Sequence, residues 1–101
     1  MHRGRVDFEA VKQAAMPVLP SLLMKWLPDG SVRNGEWIAC NPTRNDKRPG
    51  SFMINTRTGK WADFATNEGG GDVISLVAYL HNCSQLEAAR QLGGYLGVIY
   101  D

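Results

Sequence analysis

Two tight-turn signals constrain this chain most. Asn34-Gly35 separates two short runs of strand-forming residues, 31–33 and 36–41, and both turn residues tolerate the positive φ that a two-residue hairpin loop needs. Thr56-Arg57-Thr58-Gly59 joins a second pair of runs, 51–55 and 60–64. Two hairpins in succession with helical patterns on either side predict an α+β domain: a small antiparallel sheet of three or four strands packed with about four short helices. The 101 residues suffice for one such domain with one modest core. In the run 36–41, Trp37, Ala39 and Asn41 alternate with Ile38 and Cys40, and alternation alone leaves open which set is buried.

The helical segments carry their own punctuation. After a loose lead-in over residues 1–6, Asp7 can cap a helix whose Phe8, Val11 and Ala15 share a face. Pro17 and Pro20 interrupt it, and Pro20 suits the first turn of a second helix, 21–27, with Leu22, Leu23, Trp26 and Leu27 as its apolar side. Pro28-Asp29-Gly30 stops that helix. Residues 41–50 read as a polar, basic loop and 67–71 as a glycine-rich loop. Asp72 then caps a third helix with Val73, Ile74, Leu76, Val77 and Leu80 on one broad face. Ser84 and Glu87 have capping-box spacing for a last helix, 85–92, ended by Gly93 and Gly94. Residues 1–30 therefore form a helical opening and 31–92 the sheet with its C-terminal helices, all in one domain. The chain opens at Met1 and stops after an apolar stretch, the expectation being the N-terminal part of a longer protein.

Formal net charge is only +1, so any nucleic-acid signal must be local. The longest apolar stretch, 16–27, contains Pro17, Pro20 and Lys25 and cannot span a bilayer. The N-terminus lacks the apolar core of a secretory signal. Two cysteines without a Cys-x-x-Cys pair do not make a disulfide framework. These features predict reduced thiols and a cytoplasmic location.

One local signal does arise. Residues 43–60 carry Arg44, Lys47, Arg48, Arg57 and Lys60 against the single acid Asp46. Phe52, Trp61 and Phe64 are interleaved with them or follow at once. Cations that neutralise phosphates, combined with rings on which bases stack, are the means by which single strands are held. The same residues also fit a solvated basic loop over an aromatic core, and for Phe52 and Phe64 the core is the better fit. Gly69-Gly70-Gly71 before a helix could cradle a phosphate, but no Walker lysine follows and Asp72 would repel the anion, so a turn with an N-cap is expected. A magnesium site gathered from Asp46, Asp63, Glu68 and Asp72 has no motif behind it, and no spacing points to a catalytic triad. The soft ligands His2, Cys40, His81 and Cys83 do not form the two close pairs of a structural zinc site.

Taken together, Cys40-Asn41-Pro42, Asp46, Pro49-Gly50-Ser51-Phe52, Gly59-Lys60-Trp61-Ala62-Asp63-Phe64 and Gly70-Gly71-Asp72-Val73-Ile74 resemble the zinc-binding domain at the N-terminus of bacterial and phage-type DNA primases. That family has a cysteine and histidine three apart, then Pro-Ser-Phe, a Gly-x-aromatic strand entering a Cys-x-x-Cys pair, Gly-Gly-Asp and an apolar helix. Its last helix carries Glu-Ala-x-x-x-Leu, as Glu87-Ala88-Ala89-Arg90-Gln91-Leu92 does here. The resemblance covers residues 35–92, and the opening is similar to the start of mobile-element primases and primase-helicases. Cys40 matches the first ligand. Thr43 stands in place of the histidine, and Asp63 and Thr66 in place of the cysteine pair, so zinc, the family's cofactor, is not expected. The resemblance then implies a degenerate, zinc-ribbon-like fold held by an apolar contact between sheet and helices, with Phe52, Trp61, Phe64, Val73, Leu76 and Val77 as its candidates.

The resemblance further implies a domain without catalytic activity of its own that contacts the single-stranded DNA template, primers being made by a separate catalytic domain. The contacts it implies are Arg44, Lys47, Arg48, Arg57, Lys60 and Trp61. The alternative is a module that docks a helicase or the primase catalytic domain through residues 16–27, with Met16, Leu23, Met24 and Trp26 as its surface.

Overall fold

The computed structural model describes residues 6–98; His2, and all of the loose lead-in except Val6, lie outside them. The first helix, α1 (Phe8–Ala15), begins where the Ala10 N–H donates to the Asp7 carboxylate at 3.1 Å. Pro17 does not break the helical path. It sits in a single 3₁₀ turn, Met16–Val18, which redirects the chain into α2 (Leu19–Trp26). With Pro20 in its first turn, α2 starts two residues earlier than its pattern suggested and buries Leu19, Leu22 and Leu23. Its end is fixed to the sheet by Trp37, whose indole N–H donates to the Leu27 carbonyl at 3.1 Å.

The sheet is an antiparallel meander in the order β1 (Ser31–Arg33), β2 (Glu36–Ala39), β3 (Phe52–Asn55), β4 (Trp61–Asp63) and β5 (Glu68–Gly70). At the first turn Asn34 and Gly35 both take positive φ, 53° and 78°, as that turn demands. The second turn lies alongside it, because Thr56 donates to the Gly35 carbonyl from both its N–H (2.9 Å) and its hydroxyl (2.8 Å).

The described residues contain five strands, against the three or four expected. The added one is β5, from the segment read as a glycine-rich loop. Glycine is a poor strand former, and its reason for being here is tertiary. A Cβ on Gly70 would lie 2.2 Å from the Ser75 hydroxyl and 2.5 Å from the Trp61 indole nitrogen. Only a bare backbone can pass so close to Trp61 and complete the sheet.

Asp72 caps α3 (Val73–His81) with a capping box to Ser75, and α3 buries Val73, Ile74, Leu76, Val77 and Ala78. Ser84 caps α4, which runs over Gln85–Leu96, four residues past its expected end. Gly93 is buried within the helix packing, and the helix closes at Gly97, where φ is 77° and the Val98 N–H reaches the Gly93 carbonyl at 2.8 Å. Tyr95 in the added turn accepts a 3.0 Å hydrogen bond from Lys25 of α2.

The helices lie on one face of the sheet. Trp37, Ala39, Phe52, Ile54 and Trp61 point into a single core with Val11, Leu19, Leu23, Ile74, Leu76 and Ala88. Phe52 meets Trp61 edge to face at 6.1 Å, and Tyr79 lies 4.5 Å from Trp61. The alternate residues Glu36, Ile38, Met53, Asn55 and Ala62 are only half-buried; they form the other face. Among the described residues no helix is long and apolar enough to cross a membrane.

Candidate nucleic-acid interface

The phase of β4 decides what the open face offers. Trp61 and Asp63 point inward and Ala62 outward. Phe64 continues that alternation: its N–H donates to the Ser51 carbonyl at 2.9 Å, and its ring is 71% exposed. Phe64 is thus not the core residue expected. It borders a shallow depression with Glu36, Met53, Asn55, Lys60, Trp61 and Ala62. Trp61, named both for base stacking and for the apolar contact between sheet and helices, lies in that contact: it is 5% exposed and donates its indole N–H to Ser75 at 2.9 Å. The aromatic ring offered to solvent beside the basic residues is that of Phe64, three positions along.

Cations stand at both ends of this face. Lys47 and Arg48 lie in the loop between β2 and β3, at the end where Phe64 leaves β4. Arg57 and Lys60 lie at the opposite end, in and after the turn joining β3 to β4. All four are exposed, and their side chains enter no ion pair among the described residues. Arg33, which sequence reasoning passed over, sits at this second end opposite Glu36 in the β1–β2 register and is exposed. The two groups lie beyond opposite ends of β3, whose four residues span roughly 13 Å at the usual rise per residue.

Arg44 is placed differently from the other cations. Its Nε and Nη2 donate to the two carboxylate oxygens of Asp63, at 3.0 Å each. Nη2 also donates to the Ser51 hydroxyl at 2.8 Å, and Nη1 pairs with Asp46. Asp63 is fully buried. Asn41 donates its side-chain amide to Asp63 at 2.7 Å and to the Tyr79 hydroxyl at 2.8 Å. The Thr43 hydroxyl donates to the Asn41 side-chain carbonyl at 2.7 Å, while the Tyr79 and Thr66 hydroxyls donate to Glu68 at 2.8 and 3.0 Å. Burial by itself would push the Asp63 carboxyl up. The Arg44 guanidinium, the Asn41 amide and the Ala65 N–H outweigh burial and hold it well below the usual carboxylate range. The hydrogen bond to Asp63 in turn raises Arg44.

Thr43, Asp63 and Thr66, the positions where the primase resemblance places metal ligands, are therefore linked in one hydrogen-bond network, Thr43 reaching Asp63 through Asn41 and Thr66 through Tyr79 and Glu68. The chemistry of the cluster does not fit zinc. A guanidinium already fills the cationic position, and the donors around it are hydroxyls, an amide and carboxylates. Cys40 stands apart, where burial and the neighbouring Asp29 push its thiol up, away from the thiolate that zinc binds. His81 is hydrogen-bonded to Gln91 at 3.0 Å. Among the described residues no three His, Cys, Asp or Glu side chains gather as a metal site.

The acids considered for magnesium are separately engaged: Asp46 and Asp63 on Arg44, Glu68 on Tyr79 and Thr66, Asp72 on the α3 cap and on Lys12 at 3.7 Å. Of the residues proposed for docking, Leu23 is buried, Met16 and Trp26 are half-buried, and Met24 is 63% exposed. Compared with known families and with curated proteins, the chain matches no family model and no curated relative.

Proposed function

We propose that this domain holds single-stranded DNA across the open face of its sheet, as the template-binding part of a primase from a phage or mobile element. The observation that carries the reading is the exposed Phe64 ring beside an apolar depression, flanked at either end of the sheet by cations that form no ion pair among the described residues. Bases stack on such a ring regardless of their identity. Lys47 and Arg48 at one end, and Arg57, Lys60 and Arg33 at the other, neutralise successive phosphates. A strand of roughly 13 Å between the two groups suits a short stretch of extended single strand. A flat, one-sided surface favours splayed bases over a closed duplex. Binding is accordingly weak, salt-sensitive and tolerant of sequence. Primer synthesis falls to a catalytic domain elsewhere in the same protein, in the cytoplasm, where a helicase would deliver the unwound template.

The test is an NMR titration of the labelled chain with a short single-stranded oligonucleotide at low and moderate salt. Shifts are expected at Ile38, Met53, Ala62 and Phe64 and along residues 47–48 and 57–60, shrinking as salt rises. Phe64→Ala should weaken binding by about 1–3 kcal/mol, roughly 5- to 150-fold, with the melting temperature unchanged because the ring packs on nothing in the core. A Phe64→Ala variant that binds as well as the parent overturns the reading. Lys47→Ala and Arg48→Ala should each reduce the slope of log affinity against log salt by about 0.7, and an unchanged slope in the double variant would remove that loop from the interface.

A further inference from the structure

We infer that Arg44 is a positioning residue: it fixes the shape of the loop that carries Lys47 and Arg48 and does not itself touch the nucleic acid. The inference rests on the single-strand reading above and adds to it a role for the buried polar cluster.

The argument is one of connectivity. The loop leaves the sheet after Ala39 and returns at Phe52. Its middle, residues 47–50, makes no hydrogen bond to a neighbouring element among the described residues. Arg44 grips both stems. On the outgoing side it pairs with Asp46, which also accepts the Asn41 N–H at 2.8 Å. On the returning side it donates to Ser51 at 2.8 Å. Its remaining donors form a bidentate pair with Asp63, fixing both stems to the end of β4.

Asp63 immediately precedes Phe64, so the same contacts set the basic loop and the exposed ring relative to each other. A guanidinium suits this task because its planar fork reaches three acceptor side chains in fixed directions, whereas a lysine would satisfy them one at a time. With those donors occupied, Arg44 has little left for a phosphate. A loop ordered in advance binds more tightly than one that must be ordered on contact.

Two experiments separate this role from direct contact and from general stability. The first uses the free protein. Arg44→Lys keeps the charge and loses the fork, and backbone order parameters over residues 43–50 should fall from about 0.85 to below about 0.6, while hydrogen exchange in β3 and α3 stays as in the parent. Ser51→Ala, which removes one contact and leaves the Asp63 pair, serves if Arg44→Lys does not fold, and should loosen the same residues less. An unchanged loop in either folded variant overturns the inference.

The second is a double-mutant cycle with the oligonucleotide. Arg44→Gln should weaken binding by about 3- to 30-fold in the parent and by much less once Lys47 and Arg48 are both alanine. If Arg44→Gln costs the same in both backgrounds and lowers the salt slope by about 0.7 in each, Arg44 contacts phosphate and the inference is wrong. If the loop loosens but the parent ignores the oligonucleotide, the single-strand reading falls and takes the positioning role with it, leaving Arg44 a loop anchor only.

Discussion

Asp63→Ala is expected to lower the stability of the domain by about 2–4 kcal/mol. The carboxylate is fully buried, and its removal strands the Asn41 amide, the Ala65 N–H and two donors of Arg44. The loss falls below that of an ion pair buried on both sides, because Arg44 is partly exposed and can regain water. Asp63→Asn should restore the volume without the charge and recover only part of the loss, since one of its polar atoms would then face Arg44 as a donor.

The same carboxyl has a pH signature. Its folded value is depressed, so its contribution is complete above the ordinary aspartate value of about 3.9 and is lost as pH falls through the folded value. Urea unfolding at pH 7 and pH 3 should show the parent losing stability toward acid and Asp63→Asn losing much less. Equal acid losses in the two proteins would mean that Asp63 is not the group responsible.

Phe52→Ala should be costlier still, at about 3–5 kcal/mol. Phe52 is fully buried at the centre of the sheet, opposite Ala39 in one register and Asp63 in the other, and it contacts both Trp61 and Tyr79. Collapse of those neighbours into the cavity is restrained, because the Trp61 indole is tied to Ser75 and the Tyr79 hydroxyl to Asn41 and Glu68. In a domain of this size the melting temperature should fall by about 15–30 °C. The contrast with Phe64, twelve residues on and on the opposite face, makes the prediction sharp. Thermal melts in which Phe64→Ala is the more damaging change would invert the assignment of the two faces.

What the sequence discloses and what it hides divide along physical lines. The Asn34-Gly35 turn, the Asp7 and Asp72 caps and the apolar side of α3 are local signals, each complete within a few residues, and they read correctly. The strand at Glu68–Gly70 is not local: glycine favours no strand, and its place there follows from how near it runs to Trp61. The continuation of α4 through Gly93 and Gly94 likewise depends on burial of Gly93 against other helices. The inward place of Trp61 and the outward place of Phe64 have a single source. Alternation in β4 allows either set to face inward, and turning Trp61 in also turns in Asp63, an expensive residue to bury alone. It is not alone, since Arg44, nineteen residues earlier, meets it. Strict alternation from Trp61, together with an arginine free to reach Asp63, is the signal that would have found both the exposed ring and the Arg44–Asp63 pair.

A sheet covered on one side only divides the chain between two selective pressures. Trp37, Phe52, Ile54 and Trp61 answer to folding, and almost any change there removes the domain from the cell whatever it binds. Ile38, Met53, Ala62 and Phe64 alternate with them along the same strands, yet they owe the core almost nothing. Their identities are under no such constraint from folding. In a lineage where the open face has no ligand, the inward and outward positions of β3 and β4 would drift apart in rate, one set held and the other dispersing. The record of use would then be written in the alternation of the strands themselves.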